Sequence, residues 1–289
     1  MKHDGTIGTG TRLCAVIGNP VAHSLSPALH NAAFDELGLD FVYVSFRVEN
    51  LKSALAGMRA LENFRGMSVT IPHKIEAMLY MDEINEADRA IGSINTVINE
   101  QGRLIGLGTD GPGALKAFVD AGATLAGKNI LMLGAGGAAR AIAFTLALKG
   151  GVAKLTILDI NEDMLHGLAA DLKGGTHAAI ESAALIDSTL AKAMEQADVI
   201  INCTPIGMHP KEGVSLVPVE YFRPGQVVFD VVYTPLETKL LADARSAGLK
   251  VISGVEMFIN QAALQFGHFT GADPPVEVMR RVVMERLKS

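Results

Sequence analysis

Apolar residues recur along the chain in two alternating signatures. Short apolar runs at 13–18, 41–48, 67–71 and 95–98 read as strands, and between them 27–37 and 51–61 carry apolar residues at helical spacing. Asp110-Gly111-Pro112-Gly113 then opens a helix to about residue 119, and the alternation resumes with strands predicted at 129–134, 154–159, 198–203 and 226–232. Beyond 250–253 a long, mostly apolar helix is predicted over about 255–269, followed by Pro274-Pro275 and a final helix to about 288. Strands alternating with helices in this way predict an α/β protein. Two domains are expected: an α/β substrate domain over 1–112 plus 253–289, to which the C-terminal helices return, and a Rossmann-like dinucleotide-binding domain over 113–252. No flexible linker separates them, so helices should join them with a cleft between, a common place for substrate.

Composition narrows the function. At 289 residues and 49% hydrophobic, the chain can bury a large core, and its formal net charge of −6 comes without any basic run. That balance disfavours nucleic acid or an anionic membrane surface and points to a small soluble substrate. Residues 1–12 are polar and glycine-rich with no apolar signal core, and stretches such as 141–148 are too short to span a bilayer, so a cytoplasmic protein is expected. Cys14 and Cys203 stand alone in apolar runs, which suggests neither a disulfide framework nor a metal site.

The segment 129–140, NILMLGAGGAAR, runs from an apolar strand through a glycine-rich turn into a helix. Gly134 permits the turn, Gly136 and Gly137 let backbone approach a pyrophosphate, and Ala139 keeps helix and strand close, while the free amides of the helix face the anion. Asp159 ends the next apolar run 25 residues after Gly134, about where a carboxylate would accept hydrogen bonds from ribose hydroxyls. With no arginine in Leu158-Asp159-Ile160-Asn161-Glu162-Asp163, NAD is expected as the preferred cofactor and NADP is the alternative. The alternative reading is that Asp159 or Asn161 merely caps the helix that begins near Glu162.

Three polar clusters interrupt apolar strands or open helices: His23-Ser24-Leu25-Ser26-Pro27, Ser68-Val69-Thr70-Ile71-Pro72-His73-Lys74 and Gly108-Thr109-Asp110-Gly111. Singly, each has a local explanation, since Ser26 and Asp110 can cap helices and Thr70 can belong to a strand. Together they offer hydroxyls for a polyol, a lysine and a carboxylate beside a hydride carrier. An alcohol must lose a proton as hydride leaves, and a desolvated lysine near a carboxylate suits that transfer.

With these motifs the chain resembles the shikimate dehydrogenases, including the quinate/shikimate dehydrogenases. The likeness runs through residues 18–27, 68–74, 90–97 and 109–111, then Gly134 to Ala138, 202–208, Asp230-Val231-Val232-Tyr233 and 254–261, almost the whole chain. It implies reversible reduction of 3-dehydroshikimate to shikimate in aromatic amino-acid biosynthesis. Lys74 would be the acid/base residue, with Asp110 hydrogen-bonding the reacting region and positioning the lysine. Ser24, Ser26, Thr70, Asn95, Tyr233 and Gln261 would bind substrate, the serines and Tyr233 at its carboxylate and the others at ring hydroxyls. Gly134, Ala135, Gly136, Gly137 and Ala138 would hold the pyrophosphate and Asp159 the ribose, while Thr204, Val231, Gly254 and Met257 would also border the cofactor. Domain closure would bring the reacting carbons together and exclude water. A monomer or homodimer is expected.

The chain departs from the family motifs at Ser68 and Gly108, where asparagine is usual, and at Asp159, which no arginine follows. The third departure leaves NAD-dependent quinate oxidation as an alternative. The first two raise a non-catalytic nucleotide-binding module, against which the retention of Lys74 and Asp110 argues. No catalytic role is expected for His23, which would order the serine loop, or for His73, which lies beside Lys74 but would face away in an extended segment.

Overall fold

The computed structural model describes residues 7–288; residues 1–6, part of the polar amino-terminal segment, and residue 289 lie outside the described residues. The chain forms two compact units, Met1–Thr109 with Ile259–Ser289, and Asp110–Phe258.

The strands of the first unit are β1 (Arg12–Gly18), β2 (Phe41–Arg47), β3 (Phe64–Val69), β4 (Glu83–Ile84), β5 (Thr96–Glu100) and β6 (Arg103–Leu107). They form one six-stranded sheet in the order β2-β1-β3-β5-β6-β4. The β1 strand runs parallel to β2 and β3, after which β3, β5 and β6 pair antiparallel. The hairpin between β5 and β6 turns on Gln101 and Gly102, whose φ angles of 54° and 87° are those of a two-residue type I′ turn.

Five helices accompany this sheet: α1 (Ser26–Leu37), α2 (Leu51–Arg59), α3 (Glu86–Ile91), the C-terminal part of α9 (Gly254–Thr270), and α10 (Val276–Lys288). The return of the C-terminal helices to this unit follows the expectation. One core gathers Ala15, Ile17, Met67, Val69 and Val97 with Leu51 and Leu55 of α2. Residues pointing the other way along the strands build a second, aromatic cluster: His30 and Phe34 of α1, Tyr43 of β2, and Phe266 and Phe269 of α9. Arg65 fastens the end of α9, donating from Nε to Phe269 O at 2.9 Å, from one terminal nitrogen to His268 O at 3.1 Å and from the other to Asn99 O at 3.2 Å.

The second unit alternates α4 (Asp110–Asp120), β7 (Asn129–Leu133), α5 (Gly137–Lys149), β8 (Lys154–Asp159), α6 (Glu162–Gly175), β9 (Ala179–Ala184), α7 (Asp187–Met194), β10 (Val199–Asn202), β11 (Val227–Asp230), α8 (Lys239–Ser246) and β12 (Lys250–Ser253). All six strands are parallel, in the order β12-β11-β10-β7-β8-β9. Two wound halves therefore diverge between β7 and β10, the switch point beyond whose strand ends such sheets bind ligands. Among the described residues no helix is long and apolar enough to cross a membrane.

Candidate functional site

In the first unit the ladders bring three separate segments to one edge of the sheet. Ser68 lies opposite Thr96, and Thr96 opposite Leu107, so Thr70, Asn95 and Thr109 all emerge there. The Asn95 side chain is buried and committed: Oδ1 accepts from Thr109 N at 2.7 Å, and Nδ2 donates to Thr109 Oγ1 at 2.9 Å and to Gln261 Oε1 at 3.3 Å. One turn along α9, Gln265 donates from Nε2 to Asn95 O at 3.1 Å and to Thr96 Oγ1 at 2.9 Å. Its Oε1 accepts from Ser68 Oγ at 2.7 Å, and Ser68 Oγ accepts from the Tyr43 hydroxyl at 2.6 Å. No member of this chain of bonds is more than 8% exposed. Buried and satisfied, it forms a rigid polar shelf suited to ring hydroxyls.

Both asparagine departures have a local counterpart. Ser68 bridges Tyr43 and Gln265 as just described, so its short side chain leaves no gap in the network. At Gly108 a Cβ would lie 2.6 Å from Asp88 Oδ1, so a side chain there would have to displace that carboxylate. The carboxylate of Asp88 is buried there and accepts from Asn85 Nδ2 at 2.6 Å. Sequence reasoning missed Gln265 and Tyr43 altogether. The available signal for Gln265 was its spacing, four residues after Gln261 on the same face of one helix.

Lys74 is half-buried in a turn just beyond β3, and its carbonyl accepts from Ile94 N at 3.0 Å, which ties the lysine turn to the residue before Asn95. His73 lies in a turn, not in an extended segment. It is buried in the same turn with Nε2 2.8 Å from Val48 O, whereas His23 is exposed. Ser26 is not a helix cap either: it is the first residue of α1, the cap position is Leu25, and no side chain caps the helix. Instead Ser24 Oγ accepts from Ser26 N at 3.3 Å.

Asp110, Tyr233 and all of the cofactor candidates belong to the second unit. Asp110 is buried at the start of α4, and Tyr233 stacks on Phe258 at 4.5 Å between ring centres, its phenol pushed up by burial. After β7, Gly134 takes φ 105°, with the Cys203 backbone 3.1 Å from where a Cβ would stand. Gly136 caps α5 without a side chain, and nothing lies within 4 Å of a Cβ built on it. The amino end of a thirteen-residue helix therefore opens on unfilled space, a fit for a pyrophosphate. Thr204 follows β10, Val231 follows β11, and Gly254 and Met257 are buried in the first turn of α9. Among the described residues no group of three or more His, Cys, Asp or Glu side chains could hold a metal ion.

Residues 16–97 match the family model of the shikimate dehydrogenase substrate binding domain, 254–284 the shikimate 5′-dehydrogenase C-terminal domain, and 128–215 the lactate/malate dehydrogenase NAD binding domain. A relative from Moorella thermoacetica, shikimate dehydrogenase (NADP(+)), is 44% identical over 283 residues, 97% of this chain and 95% of its own. A solved shikimate dehydrogenase in complex with NADP+ has a TM-score of 0.89 at 40% identity, covering 98% of each chain. The shikimate 5-dehydrogenase of Listeria monocytogenes, solved with shikimate and NAD, has a TM-score of 0.88 at 35% identity, covering 96% of this chain and 98% of its own.

The expected preference for NAD is overturned, because the relatives at 39–44% identity are named for NADP(+). Such a preference required Asp159 to offer its oxygens to ribose hydroxyls. In this chain the carboxylate also serves the fold: Oδ2 accepts from Ala135 N at 2.6 Å and Oδ1 from Asn161 N at 2.7 Å. Asp159 thus fixes the glycine loop against the turn after β8, while Asn161 caps α6 through Met164 N at 3.0 Å.

Proposed function

The chain belongs to the shikimate dehydrogenase family, and from that membership we propose that it catalyses the reversible reduction of 3-dehydroshikimate to shikimate with NADP, in the route to aromatic amino acids. The observation that carries this reading is the buried shelf of Asn95, Thr109 and Gln261, drawn from three distant parts of the chain and held in register by Gln265. With Thr70 it offers amides and hydroxyls to the substrate ring, and Ser24, Ser26 and Tyr233 suit the substrate carboxylate.

Lys74 is the acid/base residue. It removes the hydroxyl proton when shikimate is oxidised and returns it when the ketone is reduced. Asp110 is the assisting carboxylate. Gly134 to Ala138 would hold the pyrophosphate, with Thr204, Val231, Gly254 and Met257 at the nicotinamide side; the cofactor supplies the hydride when bound. The partners in this reading are small molecules and the compartment is the cytoplasm.

Initial rates of the purified protein with shikimate or quinate, each offered NADP or NAD, test the reading. Shikimate with NADP should be fastest. Background rates with shikimate and either cofactor would overturn the function, and quinate turnover rivalling that of shikimate would move the substrate assignment. Lys74→Ala should lower kcat by roughly a thousandfold while shikimate still binds; full turnover would remove the acid/base role.

A further inference from the structure

We propose that Asp230 is a positioning residue for the nicotinamide half of the cofactor, fixing the loops 202–206 and 231–233 that follow β10 and β11. This rests on the reading above only in taking those loops as the cofactor's border.

Asp230 ends β11 at 0% exposure, beside Asn202 at the end of β10. Three donors from three segments converge on its carboxylate. Oδ1 accepts from Asn202 Nδ2 at 2.9 Å and from Val232 N at 3.0 Å, and Oδ2 accepts from Thr238 Oγ1 at 2.6 Å. Asn202 passes the constraint along its own loop: its Oδ1 accepts from Thr204 N at 3.1 Å and from Thr204 Oγ1 at 2.7 Å, and its Nδ2 also donates to Ile206 O at 3.1 Å. Thr238 is the N-cap of α8, so the carboxylate also anchors the start of that helix.

The neighbours are cut to fit the backbone held in this way. A Cβ on Gly254 would stand 2.4 Å from Val231 O and 2.6 Å from Val232 O, and one on Gly134 would stand 3.2 Å from Thr204 Cγ2. Packing alone does not call for a carboxylate here, since a buried charge is costly and an apolar side chain would fill the space. Burial accordingly pushes this carboxyl up to about 6. A carboxylate can accept from all three donors at once, whereas an asparagine has one accepting oxygen and would turn its NH2 toward a donor.

Asp230→Asn keeps the shape and removes an acceptor. Its dissociation constant for NADPH, read by nucleotide fluorescence, and its KM for NADP should rise about tenfold or more, while KM for shikimate stays within about twofold of the parent. Thr238→Val deletes a single donor and should raise the NADPH constant about threefold, and it carries the test if Asp230→Asn folds poorly. Leu190→Ala, on the buried face of α7, should lower thermal stability and leave both KM values unchanged, which separates positioning from general loosening. NADPH binding within about twofold of the parent in each folded variant of Asp230 and Thr238 would overturn the proposal, as would equal rises in the two KM values. A parent protein that binds NADPH but does not oxidise shikimate would sink the substrate reading and leave this loop test standing.

Discussion

Ser68 stands between the Tyr43 hydroxyl and Gln265 Oε1, and all three groups are buried. Ser68→Ala removes the partner of both neighbours without giving either access to water. The expected loss is about 2 kcal/mol by urea unfolding, accompanied by a raised KM for shikimate because Gln265 also holds Asn95. Unchanged stability would mean that Tyr43 and Gln265 find each other or water without the serine. A second test concerns Gly108, where a methyl would collide with Asp88 Oδ1. Gly108→Ala should cost about 1–3 kcal/mol alone and much less in an Asp88→Ala background; additive losses would show that the two positions do not compete for one space. At this scale Lys74 and Asp110 were singled out by polar clusters that interrupt apolar runs or open helices, and Asn95 by the family resemblance. Gln265 was not, being one polar residue in a long apolar helix. Asp159 misled for a different reason: a sequence places a carboxylate but does not reveal which main-chain amides a turn will aim at it, here those of Ala135 and Asn161.

Legibility at the level of elements follows burial. Strands β7, β10 and β11 are largely buried in a parallel sheet and read as apolar runs, whereas β8, KLTILD, is half-buried and interrupted by Thr156. The sheet edges do not: β9, AIESAA, is half exposed along its length, and β4 has only two residues. Strand β6, RLIGL, alternates between burial and exposure in a hairpin whose turn, Gln101-Gly102, lacks the usual Asn-Gly signal. The end of α9 is also fastened to the first unit by a residue that no periodicity marks. Arg65 reaches the carbonyls of His268 and Phe269 at the end of α9 while also bonding Asn99 O. Arg65→Ala should therefore cost about 2–3 kcal/mol and speed amide exchange at 266–270. Arg65→Lys should recover little, since a point charge cannot serve three carbonyls at once. Full recovery by lysine would reduce the fork to simple charge.

For the molecule as a whole, acid should act on the two units with opposite signs at two buried groups, His30 and Asp230, whose shifts fall in the acid range. His30 is wholly buried in the first unit and stacked on Tyr43 at 4.4 Å, with Gln265 the polar side chain that opposes part of the effect of burial. Burial drives its pKa down from an ordinary 6.5 to about 3. Below pH 6.5 the unfolded chain therefore takes up a proton that the folded unit refuses, and stability present above that pH is lost as pH falls toward 3. At about 1.4 kcal/mol per unit, the loss at pH 5 is about 2 kcal/mol. Asp230, in the second unit, has its pKa raised from 3.8 to about 6, so the folded state keeps a proton that the unfolded chain releases. Its contribution is fully present below pH 3.8 and lost as pH rises through 6, and from pH 7 to pH 5 it gains about 1 kcal/mol. Hydrogen exchange between pH 7 and pH 5 should accordingly accelerate in α1 and β2 around His30, while β10 and β11 around Asn202 and Asp230 keep or improve their protection. Other carboxylates titrate over the same range, so the decisive comparison is His30→Leu, which cannot take up the proton. Its first unit should lose markedly less protection on acidification than the parent's. Parallel pH profiles for parent and variant would show that His30 is not the group that acid reaches first.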